Sequence, residues 1–259
     1  VGNLKEAELS SQKAISIDPS WEAYFYYASC LYERKEFDSA IENLYKAKAL
    51  IDQKFILMTL KASIISAQKQ LDKLNQSKYS NKSFNKRVDR LIIKREVEDN
   101  LIDHLNTMKT NQLNNTRDSR YGPGVCSDFS LFNDTSPIIS KLSIDIEDLC
   151  KKELGLKEII LCDSFFNIFV SGSGQPPHNH LNRTDRNFNL DANKYSLVYY
   201  LEVGDQDCEV PGILKLHKPE EEILPTKGMI IIIGAERLHS VSYQGNKRRV
   251  MVGVNFYGV

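Results

Sequence analysis

The sequence predicts an α+β chain, with a helical N-terminal part and a separate antiparallel β sandwich or barrel behind it. Three observations carry this. Small residues recur at a helix-pair spacing over the first 75 residues. Short β-branched and aromatic runs crowd the chain after Ile159. No helical pattern is interleaved between those runs, as a doubly wound parallel sheet would require.

In the first part the recurrence is 33 to 34 residues: Ala7 and Ala40, Ala14 and Ala47, Ala28 and Ala62. Pro19 closes one unit and Trp21 opens the next. Small residues at such positions let paired helices approach closely, where a larger side chain would push them apart. The stretch Gly2–Asp18 is similar to the second helix of a tetratricopeptide repeat, and Trp21–Asp52 resembles one complete repeat, with Phe37 at its aromatic packing position. Lys54 onward resembles the opening of another. Stacked repeats need about three units for stability, so residues 1–75 are expected to be a truncated repeat segment or one supported by the β-rich domain behind it.

Residues 76–119 are expected to form a helical linker. Ser77–Ser83 is polar and loop-like, while Val88, Leu91, Ile92, Val97, Leu101, Ile102 and Leu105 fall at helical spacing within Arg87–Met108. Asn111–Arg120 is polar and marks a boundary. Behind it, residues 136–153 predict an amphipathic helix started by Ser136-Pro137 and stopped near Gly155.

The strands are expected over Ile159–Leu161, Phe165–Val170, Tyr195–Val203, Gly212–His217, Met229–Ile233, His239–Tyr243 and Val250–Tyr257, separated by glycine turns. Glu220-Glu221-Glu222 reads as a solvated loop edge. Lys plus Arg equals Asp plus Glu at 34 each, so charge gives no case for nucleic acid or an anionic membrane. The longest apolar run, Met229–Ile233, is too short to span a bilayer. Five scattered cysteines without a CxxC pair fit a reducing, cytoplasmic setting. The chain opens on Val1-Gly2 rather than Met, so a preceding segment, a targeting signal included, is an open expectation.

His178 and His180 form an i, i+2 pair in an extended run, and i, i+2 side chains of a strand share a face. His239 comes after a later strand and Arg249 opens the last one. Three such imidazoles suit a mononuclear site for iron, copper, nickel or zinc, and the residue types alone do not choose among them. His104 and His217 have no partners by spacing.

The wider context resembles a known family. Phe169–His180 is similar to the segment that leads into the HxD motif of prolyl-4-hydroxylase-like Fe(II)/2-oxoglutarate-dependent oxygenases. Tyr195–Leu201, Gly212–Leu216, Pro225–Met229, Leu238–Val241 and Arg249–Phe256 resemble its later strands, in order. The resemblance covers residues 120–259 and implies a double-stranded β-helix (jelly roll). It implies Fe(II) held by His178 and His239, 2-oxoglutarate and O2 as cosubstrates, and a C–H hydroxylation that releases succinate and CO2. It further implies Arg249 on the far carboxylate of 2-oxoglutarate, since a guanidinium offers two charge-assisted bonds. Tyr200 would assist it, with Ser196 on the same strand face. Arg248 is the alternative partner; Arg249 is preferred because Met251, Gly253 and Asn255 then share its face while Val250, Val252 and Val254 pack outward.

The chain departs from the family where His180 replaces the carboxylate of HxD. Three outcomes stay open: a three-His triad, a two-His site, or a loop carboxylate, Asp185 or Asp191, swinging in. Phe169 also stands where relatives carry Tyr. A protein or peptide substrate recruited by the helical segment is the first expectation. The alternatives are an inactive interaction module and a cupin-like three-His dioxygenase that does not use 2-oxoglutarate.

Overall fold

The structure, a computed structural model, describes residues 3–51, 54–76, 89–113 and 122–259. The loop expected at 77–83 and most of the boundary expected at 111–120 lie outside the described residues. The described residues fall into two compact units. One contains the N-terminal helices together with residues 182–193; the other contains the described residues of 89–181 and 194–258.

The helical unit comprises α1 (Leu4–Ile17), α2 (Trp21–Glu33), α3 (Phe37–Ala49) and α4 (Lys54–Gln76). The Ser20 side chain accepts from Ala23 N and caps α2 directly after Pro19. Ala28, Ala40, Ala47 and Ala62 are buried as the spacing predicts, whereas Ala7 and Ala14 on α1 are exposed. The unit is completed by a segment from far along the chain. Phe188 is fully buried, with ring centroids 5.2 Å from Phe25 and 5.3 Å from Tyr32. Ser66 Oγ donates to the Phe188 carbonyl at 2.7 Å. Phe188→Ala is therefore expected to lower the stability of the helical unit by about 3–5 kcal/mol, the usual result of emptying an aromatic core position. Helical ellipticity followed through a thermal melt checks it.

The β unit is built from β1 (Arg90–Lys94), β2 (Asn111–Gln112), β3 (Val125–Cys126), β4 (Ile159–Phe169), β5 (Ser173–His178), β6 (Lys194–Glu202), β7 (Pro211–Leu216), β8 (Glu221–Ile223), β9 (Met229–Gly234), β10 (His239–Tyr243) and β11 (Arg249–Gly258). These form an antiparallel seven-stranded sheet, ordered β1-β9-β6-β11-β4-β3-β2, and a four-stranded sheet, ordered β5-β10-β7-β8. Mixed helices and antiparallel sheets of this kind are consistent with a jelly roll. Two helices, α5 (Leu101–Thr107) and α6 (Pro137–Leu154), share a core with the outward residues Val250, Val252 and Val254 of β11. α6 begins at Pro137 and ends at Gly155, whose φ of +66° supplies a left-handed cap. The inward residues Phe169, Tyr200, Met251, Leu214 and Val241 form a second core between the two sheets.

Two expectations are corrected. The helical spacing over Arg87–Met108 does not give one helix: Arg90–Lys94 is a strand paired with β9, and only Leu101–Thr107 is helical. Leu91 and Ile93 alternate with exposed neighbours and pack on the core, a period of two that a run of adjacent apolar residues conceals. The sheet thus takes a strand from ahead of residue 120. Glu221 and Glu222 lie not in a loop but in β8, paired with Leu216 and Lys215. As an edge strand, β8 accepts exposed charge. No helix among the described residues is long and apolar enough to cross a membrane.

Within the β unit, Arg95 bonds Glu98, Asp145 (2.6 Å) and the Tyr199 hydroxyl (3.0 Å). Burial alone would raise the Glu98 pKa, but Arg95 and then Lys141 outweigh it and hold the carboxyl at about 2, below its ordinary 4.5. A folded-state pKa lowered in this way stabilises the protein above pH 4.5, and the contribution is lost as pH falls towards 2. Urea midpoints of Glu98→Gln are accordingly expected to vary less across that window than those of the wild type.

Candidate metal and cosubstrate site

His239 opens β10 and stands opposite His178 at the end of β5. Between His178 and Gln175 the β5 strand carries one more residue than its partner. Pro176-Pro177 occupies this bulge, where absent N–H groups cost the ladder nothing. The bulge turns both Gln175 and His178 towards the same cavity, although their separation in a regular strand would put them on opposite faces. His180 lies just past β5, so the expected i, i+2 strand face is not what aligns it. Its backbone N–H donates to Ala235 O at 2.8 Å, and this fixes the chain as it leaves the strand.

The three rings nevertheless converge. Their centroids are 4.3 Å apart for His178 and His239, and 5.1 Å for each pair that includes His180. One ring nitrogen from each lies within 4.8 Å of the others. His178 Nδ1 is 2.7 Å from Pro176 O and His239 Nδ1 is 2.8 Å from Arg237 O. A carbonyl only accepts, so each Nδ1 carries the proton and each Nε2 presents a lone pair. Burial holds the His178 and His239 pKa values down, the latter to about 4, and that of His180 well below its ordinary value. His180 Nε2 is 3.3 Å from His239 Nε2. Three neutral imidazoles, each with one ring nitrogen drawn close to the others, form a donor set suited to a first-row transition metal.

Among the described residues no carboxylate joins this group. Asp185, weighed as a loop ligand, is buried in the helical unit, where it closes a capping box with Asn182. Asp191 begins a 3-10 turn, Asp191–Asn193, and is likewise outside the cluster.

From His180 and His239 a narrow cavity of about 30 Å³ runs past Ser196 and Tyr200 to Arg249. Its volume suits a single water, so a dicarboxylate enters only with side-chain movement along its walls. Arg249 is fully buried, and its Nη1 donates to Gly212 O and, at 3.3 Å, to Pro211 O. Its Nε and Nη2 have no partner among the described residues. A buried guanidinium with two free donors is an arrangement that an anion completes. The Tyr200 ring centroid is 5.0 Å from the guanidinium carbon. Burial pushes the Tyr200 hydroxyl pKa up, with Arg249 opposing the shift, so the hydroxyl keeps its proton to donate. Arg248 points away, bonded to Glu202 and Asn106. Phe169 is packed in the core between the sheets.

A wider cavity of about 510 Å³ is lined by His178 and His180, and shares Phe165, Asn167, Gln175 and His180 with the narrow one. Sequence patterning alone did not single out Asn167, Gly212 or Phe165. Gly212 has φ +82°, and a Cβ there would collide with Arg249 Nη1. Its place in Pro211-Gly212 signalled a turn and nothing more. His217 and His104 are outside the site: His217 Nε2 is 3.0 Å from Ser240 Oγ, and His104 Nε2 is 3.1 Å from Ser136 Oγ.

No protein-family model matches the chain, and a search of curated proteins finds no match. Similar solved structures exist. HygX from Streptomyces hygroscopicus, with nickel, 2-oxoglutarate and hygromycin B bound, is 9% identical with a TM-score of 0.50, over 67% of this chain and 84% of that one. A prolyl-4-hydroxylase from Pseudomonas putida is 15% identical with a TM-score of 0.47, over 66% of this chain and 92% of that one. A 2OG-Fe(II) oxygenase family oxidoreductase from Burkholderia pseudomallei is 16% identical with a TM-score of 0.44, over 60% and 76%. At 9% identity the likeness to HygX is one of fold alone.

Proposed function

We propose that the β unit is an Fe(II)/2-oxoglutarate-dependent oxygenase. His178, His180 and His239 hold the metal, and Arg249, with Tyr200 and Ser196 beside it, takes the far carboxylate of 2-oxoglutarate. The observation that carries this is the pairing of three converging imidazoles with a buried guanidinium whose Nε and Nη2 have no partner among the described residues, joined by one narrow cavity. Bound there, iron and 2-oxoglutarate with O2 supply the oxidising power to hydroxylate a C–H bond, with succinate and CO2 released.

The protein's own part is positional. Pro176 O and Arg237 O fix the tautomers and ring planes of His178 and His239. Gly212 O holds one arm of Arg249 and leaves the other free for a carboxylate. The apolar walls of Leu214, Val241 and Met251 exclude water around that pair and strengthen it. A cupin-like three-His dioxygenase has no use for Arg249 in this position.

The substrate we favour is a side chain of a protein or peptide. The helical unit, read as tetratricopeptide type, would recruit it in a reducing cytoplasm. Incubation of the full chain with Fe(II) and 2-oxoglutarate in air, with succinate analysis of the products, tests the reaction. Succinate that depends on both is expected. Metal binding without any 2-oxoglutarate binding would overturn the proposal in favour of an interaction module or a different dioxygenase.

A further inference from the structure

The third imidazole is held differently from the other two. His178 Nδ1 and His239 Nδ1 each face a backbone carbonyl, whereas His180 Nδ1 has no hydrogen-bond partner among the described residues. The placing of its ring therefore depends on where the backbone carries it. Only Leu181 separates His180 from the point where the chain passes into the helical unit, to which residues 182–193 belong. That excursion leaves and returns through one residue of the β unit. Ala235 O accepts from the His180 N–H at 2.8 Å, and the Ala235 N–H donates to Lys194 O at 2.9 Å. Inside the helical unit the segment is fastened more heavily. Asn182 and Asp185 close a capping box on the short helix Arg183–Asn187, and Leu190 N–H donates to Asp185 O at 2.7 Å. Phe188 and Leu190 are both buried. Ser66 Oγ uses its one proton on the Phe188 carbonyl, so the Tyr32 hydroxyl, 3.1 Å from Ser66 Oγ, is the donor in that second bond. This relay, with the rings of Phe25 and Tyr32 around Phe188, ties the segment to α2 and α4.

We infer that Phe188 is a positioning residue for His180: seated in the core of the helical unit, it holds the backbone that carries the third imidazole. An imidazole with no bond on its second nitrogen is free to change rotamer unless backbone and packing define it. Ala235 supplies one backbone bond at His180 itself. The other anchor reaches His180 through Leu181 and the capped helix, whose closed box leaves little slack between Asn182 and Phe188. Closing the chain between β5 and β6 does not call for this second anchor, because both ends of the excursion already meet at Ala235. What the burial of Phe188 adds is a fixed direction for the chain at Leu181. The helical unit and the order of the imidazole cluster are thereby coupled along the chain. Local opening of the helical unit releases His180, while His178 and His239 stay on β5 and β10 with their carbonyl bonds. Calling His180 a metal ligand rests on the oxygenase proposal; the holding of its ring does not.

Two measurements on the full chain test this. The imidazole 15N resonances of the metal-free protein read how the ring is held, and anaerobic Fe(II) titration reads what the holding does. The variants are Phe188→Ala and an insertion of Gly-Gly between Leu181 and Asn182. The insertion keeps the sequence of both cores and of the capping box and only lengthens the link. Both variants are expected to shift or broaden the His180 ring resonances while leaving those of His178 and His239 in place. Both should weaken Fe(II) binding by about tenfold, the low end of what disturbing the surroundings of a metal ligand does. Phe188→Leu, which refills most of the space, should recover most of that loss. In a His180→Ala background neither change should weaken Fe(II) further, whereas general damage to the fold would. Wild-type ring resonances and iron affinity in the insertion variant overturn the inference, and so does an equal loss of iron with His180 already removed. The two proposals fail separately. Displaced His180 resonances, with Fe(II) binding indifferent to His180→Ala, sink only the ligand role. Undisturbed His180 resonances, with iron lost in His180→Ala, sink only the positioning role of Phe188.

Discussion

Arg249→Ala is expected to weaken 2-oxoglutarate binding by about two orders of magnitude or more, because truncating one partner of a buried charged pair typically costs 2–5 kcal/mol. Metal affinity should change far less, since the arginine touches none of the three imidazoles in its hydrogen bonding. The side chain is fully buried under Tyr200, so its removal also leaves a cavity. Arg249→Lys separates the two effects: it fills much of the space and keeps a charge, but supplies a point donor where two arms were available. An intermediate loss is expected for Lys. Gly212→Ala should mimic part of it, because the new methyl would occupy the position of Nη1 and the residue already has φ +82°. Calorimetric titration of 2-oxoglutarate into the metal-loaded protein measures all three. Unchanged affinity in Arg249→Ala would show that the cosubstrate carboxylate is bound elsewhere, while a parallel collapse of metal binding would show only a damaged fold.

Much of this site was legible in the sequence because β-strands have a strict period. Once Arg249 is assigned inward, Met251, Gly253 and Asn255 share its face, and the valines between them must face α5 and α6, as they do. The strands around Tyr200 and the helix from Pro137 to Gly155 were likewise fixed by short-range chemistry: alternation, a proline start and a glycine stop. What the sequence concealed depends on distant partners. Arg90–Lys94 is a strand because β9 offers it an edge, and nothing local to Leu91-Ile92-Ile93 distinguishes that from a helical turn. Residues 182–193 fall in the sequence between strands of the β unit, yet Phe188 packs among Phe25 and Tyr32, more than 150 residues earlier. His178 and His180 were paired by an assumed strand, whereas a proline bulge aims the first and an anchor to Ala235 holds the second. The convergence was predicted, but not its cause.

His180 is the position where this chain parts from the usual two-His, one-carboxylate pattern, and its replacement is the most informative experiment on the metal. With three neutral imidazoles the metal keeps one more unit of positive charge than a carboxylate triad would leave it, and His180→Asp restores that charge. Aspartate is shorter than histidine, and His180 Nε2 in the structure reaches to 3.3 Å from His239 Nε2, at the far end of its ring. The Asp oxygens would stop about an ångström short of that point unless the chain after β5 moves, which its bond to Ala235 resists. We expect His180→Asp to retain Fe(II) binding, because charge compensates for an imperfect reach, and to support 2-oxoglutarate turnover uncoupled from substrate oxidation. His180→Ala, by contrast, is expected to lower Fe(II) affinity by roughly 10–100-fold or more, the range seen when the surroundings of a metal ligand are disturbed. Metal titration of the wild type and both variants, with succinate formation measured alongside, separates the cases. If His180→Ala binds iron as the wild type does, the working site has two protein ligands and His180 faces the substrate instead. If His180→Asp loses iron while His180→Ala keeps it, neither triad describes the site, since a ligand position would then tolerate vacancy but not a carboxylate.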